Sequence, residues 1–123
     1  VSDQINAADY GFSPAIVSGG FLFCSGQIGM DADGSVPADP DRQFALAFAA
    51  LRALLEQYGC NAGDVVDLTT FHIGYPGHMD IFMKQKAAFQ GSARPAWTAI
   101  GVAALGHPES LVEIKAVAKI RQP

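Results

Sequence analysis

The stretch SLVEIKAVAKI, residues 110–120, constrains the fold most strongly. Val112, Ile114, Ala116, Ala118 and Ile120 fall at every second position and line one face of an extended strand; Glu113, Lys115 and Lys119 share the other. Such a strand buries one face and needs apolar cover over it. The stretch before it, AWTAIGVAAL (residues 96–105), is apolar on both faces, with Trp97, Ala99, Gly101 and Ala103 against Ile100, Val102 and Ala104.

Two helices are available as cover. Asp39 suits an N-cap and Pro40 the first helical position. Phe44, Phe48, Leu51, Leu55 and Tyr58 then recur at spacings of four and three, and Gly59 is placed to end the helix. MDIFMKQKAAFQ (79–90) predicts a second, weaker helix with Ile81, Phe82, Ala88 and Phe89 on its apolar side. SPAIVSGGFLFCSGQIG (13–29) reads as a hairpin turning at Gly19–Gly20, since paired glycines accept the positive φ of tight turns. MDADGSVPADPD is a loop, DVVDLTTFHIG a strand and YPGH a loop.

The order ββ(β)αβαββ predicts an α+β fold, a mixed sheet with both helices on one face. Its other face would leave a large apolar patch in water, so it is expected to pack against further copies in closed cyclic symmetry.

A chain of 123 residues, half of them apolar and 16% charged, suits one domain spanning 1–123. The net charge of −4 argues against a phosphate-binding surface, so no nucleic-acid partner is expected. No apolar run reaches the roughly 18 residues of a membrane span, and VSDQINAADY has neither the basic nor the apolar part of a signal peptide. A cytoplasmic protein with no membrane partner is expected. Cys24 and Cys60, far apart and without CxxC spacing, read as free thiols of a reducing compartment, with a disulfide as the minority reading.

FLFCSGQIGMDADGSVPAD, GDVVDLTTFHIG, RPAWTAIGVAALG and LVEIKAVA, in this order, resemble the RidA/YjgF family, also labelled endoribonuclease L-PSP-like, from about Pro14 to Ile120. The resemblance implies a chorismate-mutase-like subunit, a homotrimer with a central barrel of sheets, and ligand clefts at the subunit interfaces. It implies hydrolysis of small reactive enamines and imines to a keto acid and ammonia, with no metal or organic cofactor. In the archetype an arginine clamps the substrate carboxylate; that position is Trp97 here, within Pro95-Ala96-Trp97-Thr98. An indole brings one N–H donor and no charge, so it cannot replace a guanidinium. The family's cleft tyrosine is Ala15, its cysteine beyond the arginine is Ala99, and its helix asparagine falls near Met83 or Lys84. These departures point to a more apolar, even ring-derived, ligand.

Glu113 matches the family glutamate that positions the attacking water, and is the catalytic candidate. From periodicity alone, sharing a face with Lys115 and Lys119, it reads as a solvated or interface-paired acid. Ser25 and Gly26, in SGQI, offer backbone to a substrate, or form a sheet bulge. The backbone around Ala99 would join Gly26 in holding the substrate and Trp97 would shape the pocket, with plain packing as the other reading of Trp97. Arg94 is a substrate-binding candidate only if Pro95 turns it inward; otherwise it is a surface residue. Cys24 reads as a buried hydrophobe, His72 as a minor cleft candidate, and DADG (31–34) as a turn without the remaining ligands of a calcium loop.

The leading reading is a deaminase acting on a small-molecule substrate at inter-subunit clefts. The alternatives are a non-catalytic, ligand-binding trimer and, less favoured on the acidic charge balance, an endoribonuclease.

Overall fold

The computed structural model describes residues 7–121. A 3-10 turn at Ala7–Tyr10 precedes β1 (Ala15–Ser18), β2 (Phe21–Gln27), α1 (Pro40–Gln57), a 3-10 turn at Ala62–Asp64, β3 (Val65–Ile73), α2 (Met79–Gln90), β4 (Ala96–Val102) and β5 (Val112–Lys119). The strands form one sheet in the order β1-β2-β5-β3-β4. β3 runs parallel to β4, the two joined through α2, and antiparallel to β5; β1, β2 and β5 pair antiparallel. This is an α+β fold with a mixed sheet.

Local chemistry explains the elements. Gly19 and Gly20 both take positive φ at the β1–β2 turn. The Asp39 side chain accepts from the Arg42 N–H at 3.1 Å, relieving an orphan donor of α1's first turn, with Pro40 behind it. Gly59, at φ +74°, ends the helix.

Both helices cover the same sheet face. Phe44, Phe48, Leu51, Leu54 and Leu55 of α1 and Phe82 and Phe89 of α2 meet Leu22, Leu68, Val112, Ile114, Ala116 and Ala118 in one core. Gln43 is fully buried and joins distant segments: its Nε2 donates to the Pro37 carbonyl at 2.9 Å, and its Oε1 accepts from the Leu111 N–H at 2.6 Å. Gly29 lies so close to this turn of α1 that a Cβ there would fall 2.9 Å from the Gln43 carbonyl carbon.

Several expectations need correction. Residues 28–39 form no strand, so the optional third strand is absent. Tyr58 caps α1 from outside and is exposed. Ala88 faces water, and the buried arc of α2 runs Phe82, Lys86, Phe89 instead. β4 stops at Val102, so Ala103 and Ala104 leave the sheet. Cys24 and Cys60, by contrast, are free thiols as expected. No helix among the described residues is long and apolar enough to cross a membrane.

Candidate active site

Among the described residues, no helix covers the sheet's second face. Residues of β5 alternate, so that Val112, Ile114, Ala116 and Ala118 enter the core and Glu113, Lys115 and Val117 stand on the open face. Beside Glu113 the β2–β5 ladder breaks register between Cys24 and Gln27, where Cys24 pairs with Ala116 but Gln27 with Ile114. Two residues of β2, Ser25 and Gly26, therefore oppose Lys115 alone. The extra residue is a bulge, and it brings Gly26 under the Glu113 side chain. A Cβ at Gly26 would fall 2.7 Å from Glu113 Cδ, so a residue without one is needed for the carboxylate to lie there.

Glu113 has no ion-pair partner among the described residues. Burial raises its pKa above the ordinary glutamate value. A carboxylate in this state can orient a water and take its proton near neutrality better than a solvated one. Gly26 also lines an open cavity of about 360 Å³, together with Ser25, Gln27 and the apolar Phe12, Ile28 and Met30. No motif singled out Phe12 or Met30; they join the site only because the segment before β1 and the loop after β2 fold beside the bulge.

Ser25 holds this corner together. Its Oγ donates to the Ser13 carbonyl at 2.7 Å and its N–H to the Pro14 carbonyl at 2.8 Å. Both donors are thus committed to the chain, and a ligand would meet Ser25 through its shape. Ala15 pairs with Cys24 and turns its methyl into the core, so it offers no side chain to the open face.

Trp97 and Ala99 lie across the sheet from Glu113. They pair with Leu68 and Thr70, both fully buried on the helix-covered face. The Trp97 ring stacks on Phe82, with centroids 6.3 Å apart, and the Lys86 ammonium lies 4.2 Å from its centroid. Its Nε1–H donates to Thr70 Oγ1 at 3.0 Å, and Thr70 Oγ1 is 2.7 Å from His72 Nε2. Thr70 can then donate to His72, provided that Nε2 is unprotonated; burial holds the His72 pKa below its usual value, which favours that form. The indole is therefore a packed, hydrogen-bonded part of the structure, and not a bare stacking wall. His72 is buried in this network and does not reach the Glu113 face. Arg94 points its Nη1 to the carbonyls of Gly91 and Ala93 at 3.1 and 2.9 Å, closing the end of α2.

Within one chain, then, Glu113, Gly26 and Ser25 converge, whereas Trp97, Ala99 and Arg94 belong to the opposite side. Burial pushes the Cys24 thiol up to about 11, far from a nucleophile's range. Among the described residues no group of three or more His, Cys, Asp or Glu side chains is arranged to hold a metal ion.

Residues 3–120 match the sequence model of the family described as Endoribonuclease L-PSP. The chain belongs to the RidA/YjgF, or endoribonuclease L-PSP, family. It is 39% identical to the RutC family protein YjgH of Escherichia coli over 92% of this chain and 86% of that one. A RutC family protein of Pyrococcus horikoshii is 33% identical over 87% and 85%. Among solved structures, protein YJGH superposes with a TM-score of 0.83 at 38% identity, covering 94% of this chain and 88% of that chain. RidA from an Antarctic Psychrobacter gives 0.84 at 26% identity, covering 96% and 95%. The RidA/YjgF fold therefore extends over nearly the whole sequence, with Trp97 within β4 and Glu113 within β5.

Proposed function

We propose that this RidA/YjgF-family chain hydrolyses the C=N bond of small reactive enamines or imines, in clefts formed between copies of a homotrimer. The observation that carries the reading is the Glu113 carboxylate, its pKa raised by burial, held against Gly26, a residue that also lines an open cavity. An enamine first tautomerises to its imine. Glu113 accepts a proton from water as the water oxygen adds to the imine carbon. The proton returns to nitrogen to give the neutral carbinolamine, which collapses to the carbonyl product as its hydroxyl proton passes by way of Glu113 to the departing ammonia.

Assembly is part of the proposal because the two groups of candidate residues lie on opposite faces of one sheet. The open face exposes Ile16, Phe23 and Ile100 at 51, 47 and 39%. β4 is an edge strand without proline or charge, a form that monomers usually avoid. A neighbour docked there would bring its β4 edge, with Trp97 and Ala99, towards Glu113 and Gly26.

A second reading has its own support. With Trp97 at the arginine position and its N–H spent on Thr70, the chain lacks the family's carboxylate clamp there, which favours a ligand-binding trimer without turnover. One experiment separates the two. Imines from a series of amino acids, 2-aminoacrylate included, are generated in situ and ammonia release is followed with and without the protein. Accelerated release that Glu113→Gln abolishes supports the enzyme; no acceleration with any imine removes it.

A further inference from the structure

Lys86 is the odd member of α2. It occupies a core position between Phe82 and Phe89 and is only 7% exposed. A lysine at this depth ordinarily has a carboxylate against it. Among the described residues the ion pairs join Arg42 to Asp31, Lys84 to Asp41 and Arg121 to Asp64, and none includes Lys86. Nor does a hydrogen bond to any of those residues hold its ammonium. What the ammonium meets is the face of Trp97, whose ring centroid lies 4.2 Å from Nζ. That ring is itself fixed, stacked on Phe82 and donating its N–H to Thr70.

The charged form of Lys86 is therefore out of water with no anion against it, and an aromatic face offsets only part of the lost hydration. The neutral amine carries no such penalty. Desolvation accordingly draws the Lys86 pKa below the ordinary lysine value. It is the amine, and not the ammonium, that attacks carbonyl carbon, and a desolvated apolar setting is how a lysine is made nucleophilic. The other three lysines lack this setting: Lys84, Lys115 and Lys119 are all exposed, and Lys84 has Asp41 at 3.4 Å.

We infer that Lys86 is a covalent capture site for small neutral aldehydes, which it holds as a Schiff base beside the Trp97 ring. The ammonium first gives one proton to solvent, and its nitrogen adds to the carbonyl carbon. The two remaining N–H protons then leave with the carbonyl oxygen as water while the C=N bond forms. Capture removes a charge from a place where it has no counter-ion, so the surroundings favour the neutral imine. Phe82, Phe89 and Trp97 suit an apolar substituent, and the hydrogen of an aldehyde needs the least room beside a nearly buried amine. Trp97 is half-buried on an edge strand, which leaves an approach along β4. The amine lies on the helix-covered side of the sheet, away from Glu113, so this inference stands apart from imine hydrolysis.

Reductive trapping tests it on the parent chain. The folded protein is treated at about pH 7 with propanal and sodium cyanoborohydride, which turns the C=N bond into a stable amine. The reaction is stopped before one label per chain, and digestion with mass spectrometry assigns the label among the four lysines. Lys86 should be labelled several-fold faster than each of the other three. In concentrated urea the four should label alike, because the desolvated setting is gone. In the folded chain the preference should narrow as pH rises towards ~10, where ordinary lysines also lose their proton. Folded-state labelling spread evenly over the four lysines, or slowest at Lys86, overturns the assignment. A preference for Lys86 that survives urea overturns it too, since it would belong to the local sequence and not to the fold.

Discussion

An alanine at position 26 would set its methyl carbon 2.7 Å from the carboxyl carbon of Glu113. The clash is with the end of a flexible side chain, so Glu113 can swing away and the fold survives. Gly26→Ala should therefore leave the melting temperature nearly unchanged and still cut ammonia release, because the carboxylate loses its place. Glu113→Gln should lower turnover by about 10²–10⁴-fold, as loss of a general base does. The parent's pH–rate profile should have its acidic limb above the usual glutamate value near ~4.3. Stability should respond in the opposite sense. A pKa raised in the native state means that the folded chain binds the extra proton, so this group's contribution is complete below the unfolded value and is lost as pH climbs through the native one. Urea melts at about pH 4 and about pH 7 should accordingly show Glu113→Gln gaining on the parent only at the higher pH. Resemblance marked Glu113, but its contact with Gly26 depends on a bulge. Register is a property of two strands together, and neither the SGQI nor the VEIK string discloses it alone.

Elements with their own chemical signals are legible in the sequence. The glycine pair at the β1–β2 turn, the Asp39-Pro40 start of α1 and the strict alternation of β5 are local, and each survives in the fold. Asp39→Ala should cost about 1 kcal/mol by freeing the Arg42 N–H, read as a lower urea midpoint with an unchanged slope. Gly29→Ala should cost more, because its methyl group would meet the backbone carbonyl of Gln43, which cannot swing aside. Gln43 lies outside the apolar repeat of α1, and its burial follows from two loops that close over it. Lys86 looks like the solvated side of α2, and Ala88 like the core. The arc that faces the sheet was set by Trp97 and Phe82 packing together, a contact between elements that helical periodicity alone cannot place.

Scale matters most for the open face. Its apolar residues come from separate strands: Ile16 opposes Phe23 across β1–β2, and Phe71 opposes Ile100 across β3–β4. Both-sided apolarity in the β4 stretch foretold such a surface, and the helices leave it uncovered. Burying it against like surfaces would also shield the exposed edge of β4 and draw water away from Glu113, strengthening whatever electrostatics the cleft uses. Light scattering on the eluted peak at micromolar concentration should therefore return three times the 12.9 kDa of one chain. Phe23→Lys places a charge on this face, where Phe23 is 47% exposed in the single chain. The variant should keep its circular dichroism, because Phe23 lies outside the helix-covered core, yet elute as a single chain and release ammonia no faster than buffer. A parent protein that scatters as a stable, folded single chain would remove the trimer and, with it, any cleft shared by Glu113 and a neighbour's Trp97.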